Sequence, residues 1–337
     1  MTEMSSVTAP APAGRAAPRP APVGGSGRAA FRAAARPAGA GAVTELISVI
    51  VTTYNREDAL DAVLRGLSGQ TDKGLEVIVA DDGSGPATAC VIESWAGRIL
   101  DRLHHVRHDD RGFRAAEIKN RAILASAGAV CIFLDGDCIP RPDFIAAHRR
   151  LAEPGWFVAG NRVLLSREMT ERILREHIEP EHWPLSAWIS ARRKGEINRL
   201  LPLLSLSLGP LRRIGGRAWK SARGANLAIH RSDLDRVDGF DAAYTGWGRE
   251  DSDIIIRLMR VGTRRKDGRF ATGVLHLWHP ENDRSRLLEN DRLLAAVIHG
   301  DRIRALAGLS ARTSARTGRN APQQGAEQES LTGRQWR

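Results

Sequence analysis

The chain has 337 residues, 42% hydrophobic and 26% charged, so its middle can bury a sizeable core. The 50 Lys and Arg outnumber the 39 Asp and Glu, giving a formal charge of +11. That balance admits an anionic substrate, nucleic acid or an anionic membrane surface as partner. No stretch approaches the ~20 consecutive apolar residues that span a bilayer, and the start lacks the apolar segment of a secretory signal, so a cytoplasmic location is expected. Cys90, Cys131 and Cys138 show no C-x-x-C spacing. They read as free thiols rather than a disulfide frame or a zinc site.

Residues 1–43 are rich in Ala, Pro, Gly and Arg and poor in large apolar side chains. They cannot bury enough surface to offset the entropy of ordering and read as a disordered arm. Order begins at ISVIVTTYN, a β-branched run ending in polar residues, as in a buried parallel strand. A helical pattern follows over 57–67, and LEVIVADDGSG is a second strand ending in acids and glycines. A helix over about 87–95, a short strand over 104–108 and helical spacing over 113–127 come next. AVCIFLDGD is another buried strand ending in acids, and 140–151 a short helix. Beyond it, WFVAGNRVLL predicts a strand, 168–177 a helix, GANLAIH a strand and SDLDRV a short helix. EDSDIIIRLMRVG predicts a helix and GVLHLWHP a strand ending in His. Residues 308–337 read as a disordered tail.

Strands alternating with helices indicate an α/β fold with a parallel sheet and right-handed crossovers. TTYNR, DDGSG and DGD all end strands. Ligands of open α/β sheets bind beyond the carboxyl ends of the strands, so these clusters should converge on one crevice.

In DGD, Asp135 and Asp137 are two apart and share one side of an extended segment. Such a pair can hold Mn²⁺ or Mg²⁺, which link carboxylates to substrate phosphates. A polar turn closing a strand is the other reading. His276 and His279, at the end of an apolar stretch, would complete an N/O site for Mn²⁺, or are two satisfied histidines. Tyr54 can stack on a base, and Asp82 can accept from the N3–H of uracil, although DDGSG is equally an ordinary turn. Arg114 and Lys119 suit a diphosphate, or are solvated surface charges.

GWGREDSD places three carboxylates at a helix start. The free N–H groups and the dipole there favour one or two acids. A carboxylate in that position can also deprotonate an incoming hydroxyl. Trp247, between two glycines, offers an apolar face to a sugar ring. Cys138 beside DGD has no base patterned around it and reads as a packed small residue.

Together, ISVIVTTYNR, Gln70-Thr71, VIVADDGS, FRAAEIKNRAI and FLDGDCIP resemble glycosyltransferase family 2 in order and spacing. GANLAIHRSDLDRVDGFD, GWGREDSDIIIRL and HLWH resemble the C-terminal segment of β-1,4-galactosyltransferases and bacterial chondroitin-type polymerases. The resemblance implies a GT-A fold, a mixed, mostly parallel sheet flanked by helices. It divides the domain into a Rossmann-like nucleotide-sugar half (44–150), a variable helical insert (151–223), an acceptor and catalytic segment (224–285) and a C-terminal helix (286–307). The implied activity is inverting, metal-dependent transfer of a hexose-type sugar from a UDP-sugar to a hydroxyl of a glycan or lipid-linked acceptor. Thr52, Tyr54, Arg56, Asp82, Arg114 and Asp135 would then bind the nucleotide sugar. Asp137, Asp135, His279 and His276 would hold Mn²⁺ or Mg²⁺, with Asp137 the direct ligand. Asp251 would be the catalytic base with Glu250 beside it, and Trp247, Glu250 and Asn226 would meet the acceptor.

The stretch 165–223 has no counterpart in the resemblance. It holds an apolar run flanked by Arg and Lys and predicts a helical subdomain over the acceptor side. Its functional alternative is a peripheral contact with an anionic inner membrane face. Two other classes compete. A sugar-nucleotide pyrophosphorylase would need a Gly-rich phosphate loop with a basic residue directly after the first strand, where TTYNRED stands. A basic nucleic-acid-binding protein would carry a helix-turn-helix, zinc-finger or RNA-recognition signature, and none is present, so nucleic acid is not an expected partner.

Overall fold

A computed structural model describes residues 45–98, 102–220, 222 and 224–311. The expected arm over 1–43 and most of the expected tail lie outside these residues. Strand β1 (Ile47–Thr53) sits between β2 (Leu75–Asp81) and β4 (Val130–Asp135) and is parallel to both. β3 (Leu103–Arg107) extends the sheet beyond β2. On the other side β8 (Asn226–His230) pairs antiparallel with β4, β6 (Trp156–Ala159) antiparallel with β8, and β9 (Arg264–Asp267) parallel with β6. A smaller sheet has the order β5 (Cys138–Pro140), β10 (Val274–His276), β7 (Arg162–Leu164).

The chain runs outward from β1 to β3, then returns through helix α3 (Ala115–Ala125) to β4 on the opposite flank of β1. The strand order reverses there, which opens a crevice beyond the strand ends. Thr52 is paired with Asp135 across that point, so the polar ends of β1 and β4 are neighbours.

Alternation along the central strands divides the core between the two faces of the sheet. Val49, Val51, Val77, Val79, Ile132 and Leu134 share a cluster with Leu60 and Val63 of α1 (Glu57–Ser68). Ile50, Ile78 and Phe133 pack with α3, α7 (Arg231–Val237) and α8 (Glu250–Arg260). The helix predicted after β2 is α2 (Pro86–Ser94), and α4 (Phe144–Leu151) follows β5.

Several expectations are corrected. WFVAGNRVLL is two strands in different sheets. It breaks after Ala159, at Gly160, whose backbone passes so close to Asn226 that a Cβ there would collide with it. Residues 151–223 are therefore more than a helical insert, since β6 and β7 belong to the two sheets. Their helices α5 (Arg167–Glu176) and α6 (Leu185–Arg193) bury Met169, Ile173, Trp188 and Ala191 in the core on the α1 side. β9 was not predicted because its sequence, RRKD, carries no apolar alternation. The last helix, α9, is shorter than expected, Leu287–His299. Residues 308–311 belong to the fold rather than to a tail: Leu309 is buried and the Ser310 N–H donates to Asp238 Oδ1 (2.9 Å). Among the described residues no helix is long and apolar enough to cross a membrane.

Candidate active site

The strand-end clusters do converge, on a cleft of about 500 Å³. At one end Asp81 closes a turn by accepting the N–H groups of Gly83 (3.1 Å) and Ser84 (2.7 Å). Gly83 has φ +100°, which suits a residue without Cβ. That turn brings Asp82 to the cleft wall. Its Oδ2 accepts the Arg114 backbone N–H (2.8 Å), and its Oδ1 lies 2.5 Å from His108 Nε2. Burial raises the Asp82 carboxyl above its ordinary range. The neighbouring loop is tied to it, since Asn55 Oδ1 accepts the Gly85 N–H (2.8 Å). Tyr54 presents a half-exposed ring whose hydroxyl donates to Asp110 (2.9 Å). Thr52 and Arg56 also line this end, with Arg56 paired to Asp58 (3.1 Å).

At the cleft floor β4 ends with Asp135, and Gly136-Asp137 turn out of the strand. The extended geometry expected of DGD therefore stops at its first residue, yet both carboxylates line the cleft. Asp137 Oδ1 is 3.7 Å from His276 Nε2, and Oδ2 is 3.4 Å from His279 Nε2. His279 Nδ1 lies 2.6 Å from the Pro280 carbonyl, and donation there leaves Nε2 with its lone pair. Burial lowers the His276 pKa and favours the neutral, ligating form. Asp137 thus has an imidazole beside each of its oxygens, donor types that fit a divalent ion such as Mn²⁺. Cys138 is the third residue of a tight cluster with Asp137 and His276, but burial pushes its thiol far up and keeps it protonated. Burial, then the Asp137 charge, pushes Asp135 up to about 6.

The acids of GWGREDSD divide between two tasks. Arg249 caps α8 with φ +82°, and the helix starts at Glu250. Glu250 and Asp251 line the cleft, whereas Asp253 is fully buried behind it, bonded to Arg257 and to Arg302 (3.0 Å). Asp251 Oδ2 accepts the Gly224 N–H (2.8 Å). Its Oδ1 is 3.5 Å from Lys119 Nζ, which is also 3.3 Å from Glu250 Oε1. Burial and the Asp251 charge push Glu250 up to about 7, while Lys119 pulls the other way. The Lys119 ammonium, buried but faced by Asp251, Glu250 and Asp135, stays charged. Trp247 stands where a second lobe of the cleft opens, lined by Leu164, Gly224, Trp278 and Arg284. Arg284 lies over its ring at 5.2 Å, and Asn290 donates to the carbonyls of Thr245 (3.1 Å) and Gly248 (3.0 Å) on either side.

Two expected residues are elsewhere. The Arg114 guanidinium does not line the cleft, because it is held by Glu117 (3.0 Å) and the Asp109 carbonyl. It is the backbone of Arg114 that serves the site, through Asp82. Asn226, the first residue of β8, is buried, donating to the carbonyls of Asn161 and Thr272 and accepting from His148 (3.0 Å). It braces β8 and does not reach the acceptor lobe. Gly224, His108 and Asn290 are site-supporting residues that sequence reasoning missed. The glycine before the β8 strand was the one visible signal.

This sheet, with its switch-point cleft, is the GT-A fold. The family model described as glycosyl transferase family 2 matches residues 48–212, and the model described as the N-terminal domain of galactosyltransferase matches 216–279. Over these two stretches the chain is similar to glycosyltransferase family 2, with a galactosyltransferase-type segment completing the cleft. It is 30% identical over 269 residues to the validoxylamine A glucosyltransferase of Streptomyces hygroscopicus subsp. limoneus, covering 76% of this chain and 58% of that protein. It is 24% identical over 237 residues to the chondroitin synthase of Escherichia coli, covering 64% of this chain and 32% of that one. The chain thus spans less than two thirds of the length of either relative. A crystal structure of S. aureus TarS 1-349 in complex with UDP-GlcNAc is similar with a TM-score of 0.51 at 16% identity, covering 75% of this chain and 66% of that one, a likeness of fold.

Proposed function

We propose that the protein is an inverting, metal-dependent hexosyltransferase that uses a UDP-sugar and a hydroxyl of a glycan or lipid-linked acceptor. The observation that carries this reading is one cleft with three zones in sequence: a base-binding wall, a carboxylate–imidazole cluster and an acidic pair beside an open lobe. Tyr54 offers a stacking face and Asp82 a fixed acceptor for the uracil N3–H. Asp137, His276 and His279, with Asp135 beside them, would hold the divalent ion. When bound there, Mn²⁺ or Mg²⁺ would neutralise the diphosphate leaving group.

Asp251 accepts the proton of the acceptor hydroxyl, whose oxygen then bonds to the anomeric carbon. The bond from that carbon to the UDP oxygen breaks with its electron pair going to UDP, and the configuration inverts. Glu250 and Trp247 position the acceptor where the two lobes meet. The names of the relatives, a glucosyltransferase and a chondroitin synthase, favour a hexose or hexosamine donor. Calorimetric titration with UDP, with and without Mn²⁺, tests the site. Mn²⁺-dependent binding that is lost in Asp137→Ala is expected. UDP binding that is absent, or indifferent to Mn²⁺ and to Asp137→Ala, would overturn the reading.

A further inference from the structure

Lys119 is the cation least expected where the structure puts it. It lies in α3, on the nucleotide half, with its side chain 4% exposed. Taking an ammonium out of water costs several kcal/mol unless partners compensate it. Its ion-pair partners are not on its own half, although Asp135 there also faces it. Nζ reaches 3.3 Å to Glu250 Oε1 and 3.5 Å to Asp251 Oδ1, both on α8, with the Phe240 ring 5.1 Å beneath it. Among the described residues no other cation comes within ion-pair distance of Glu250, Asp251 or Asp135.

Asp251 is thereby held from two sides. Gly224 donates to Oδ2 from the segment before β8, and Lys119 faces Oδ1 from α3. The approach to Gly224 is so close that a Cβ there would stand 2.5 Å from Asp251 Cγ. The carboxylate has no room to swing toward that wall, and its charge is attracted to the other.

We propose that Lys119 is a positioning residue that clamps Asp251 for proton acceptance and joins the nucleotide half to the acceptor half through that carboxylate. The proposal rests on Asp251 being the proton acceptor. It differs from a diphosphate-binding role, because the ammonium is directed to carboxylates on the acceptor side. A general base held in place gains from orientation, and a displacement near 1 Å costs on the order of 100-fold in rate.

The test uses the full chain with Lys119→Gln, Lys119→Arg and Asp251→Asn. UDP release is followed with Mn²⁺ and five donors: UDP-glucose, UDP-galactose, UDP-GlcNAc, UDP-GalNAc and UDP-glucuronate, with water as acceptor. UDP binding in Mn²⁺ is followed by calorimetry. Lys119→Gln is expected to lower kcat about 100-fold while the KM for donor, the Kd for UDP and the binding stoichiometry stay within about 3-fold of wild type. Lys119→Arg, which keeps the charge, should recover at least about a tenth of wild-type kcat. Weakened UDP binding with kcat retained would overturn the clamp and make Lys119 a diphosphate ligand. Lost binding stoichiometry in both Lys119 variants would make the residue a packing element only. Wild-type kcat in Lys119→Gln, with kcat lost in Asp251→Asn, would overturn the clamp alone. Wild-type kcat in Asp251→Asn, or a wild-type protein that turns over none of the five donors, would overturn the transfer mechanism and the clamp with it.

Discussion

Replacing Gly224 by Ala perturbs the proposed base through a single methyl group. The backbone of Gly224 is not in the left-handed region, so Ala can adopt it without strain. The added Cβ would overlap Oδ1 of Asp251 most closely and stand 2.5 Å from Cγ and Oδ2, where ordinary contact begins at 3.4 Å. The carboxylate must therefore withdraw by about 1 Å, losing its 2.8 Å bond to the Gly224 N–H and its alignment with Lys119. A displacement of that size lowers kcat on the order of 100-fold, or about 3 kcal/mol in the barrier. The nucleotide end of the cleft is untouched, so the Kd for UDP should hold within about 3-fold. Steady-state UDP release and calorimetry measure both quantities on the same preparation. A Gly224→Ala protein with wild-type kcat would refute the placement of Asp251 as the group that acts on the acceptor.

The acids of α8 should separate by experiment as they do in space. Asp253→Asn weakens the fully buried pair with Arg257 and should cost about 3–5 kcal/mol in urea unfolding, whereas Asp251→Asn should cost little stability. A stable Asp253→Asn protein would contradict the buried-pair assignment. His148 is buried beside Asn226, and burial lowers its pKa to about 4. The unfolded chain binds a proton below about pH 6.5 that the folded chain refuses, so this contribution is present above pH 6.5 and lost as pH falls toward 4. Wild type should lose about 3 kcal/mol more than His148→Gln between pH 6.5 and pH 4, read from urea melts across that range. Parallel pH dependence in the two proteins would show that His148 titrates normally. Leu201, Leu211 and Ile214 are exposed, in a stretch of sequence that also carries Arg192, Arg193 and Arg217. If this stretch meets an anionic bilayer, co-sedimentation with phosphatidylglycerol vesicles at moderate salt should fall in a Leu211→Ser, Ile214→Ser protein. Equal binding by that variant and wild type would assign any vesicle contact to other basic segments.

Much of the site was readable because its chemistry lies at strand ends, where residue type and position coincide. Tyr54, Asp82, Asp135 and Asp137 follow buried β-branched runs, and the sheet order then brings them together. For His276 and His279 donor type alone left a metal site beside DGD and two satisfied histidines both open, since β10 reaches Asp137 by way of the small sheet. Lys119 and Arg114 looked equivalent in sequence. The buried positions of α3, at 115, 116, 118, 119, 120, 122 and 123, put Lys119 on the inward stripe, while Arg114 precedes the helix and turns to Glu117. That distinction needs the rotation of the helix about its axis. Asn226 was misplaced for a related reason. Its role depends on which strand lies beside β8, and an antiparallel partner across a long chain separation leaves no local mark. The break in WFVAGNRVLL likewise falls where Asn226 approaches Gly160.

The most direct test of the central claim is release of UDP from the five UDP-sugars by the purified full chain, with and without Mn²⁺, beside Asp137→Ala and Asp251→Asn. The account predicts Mn²⁺-dependent release from one donor, abolished in Asp137→Ala and lowered at least about 100-fold in Asp251→Asn, with UDP binding retained in the latter. Release that ignores Mn²⁺ and survives both substitutions would contradict it.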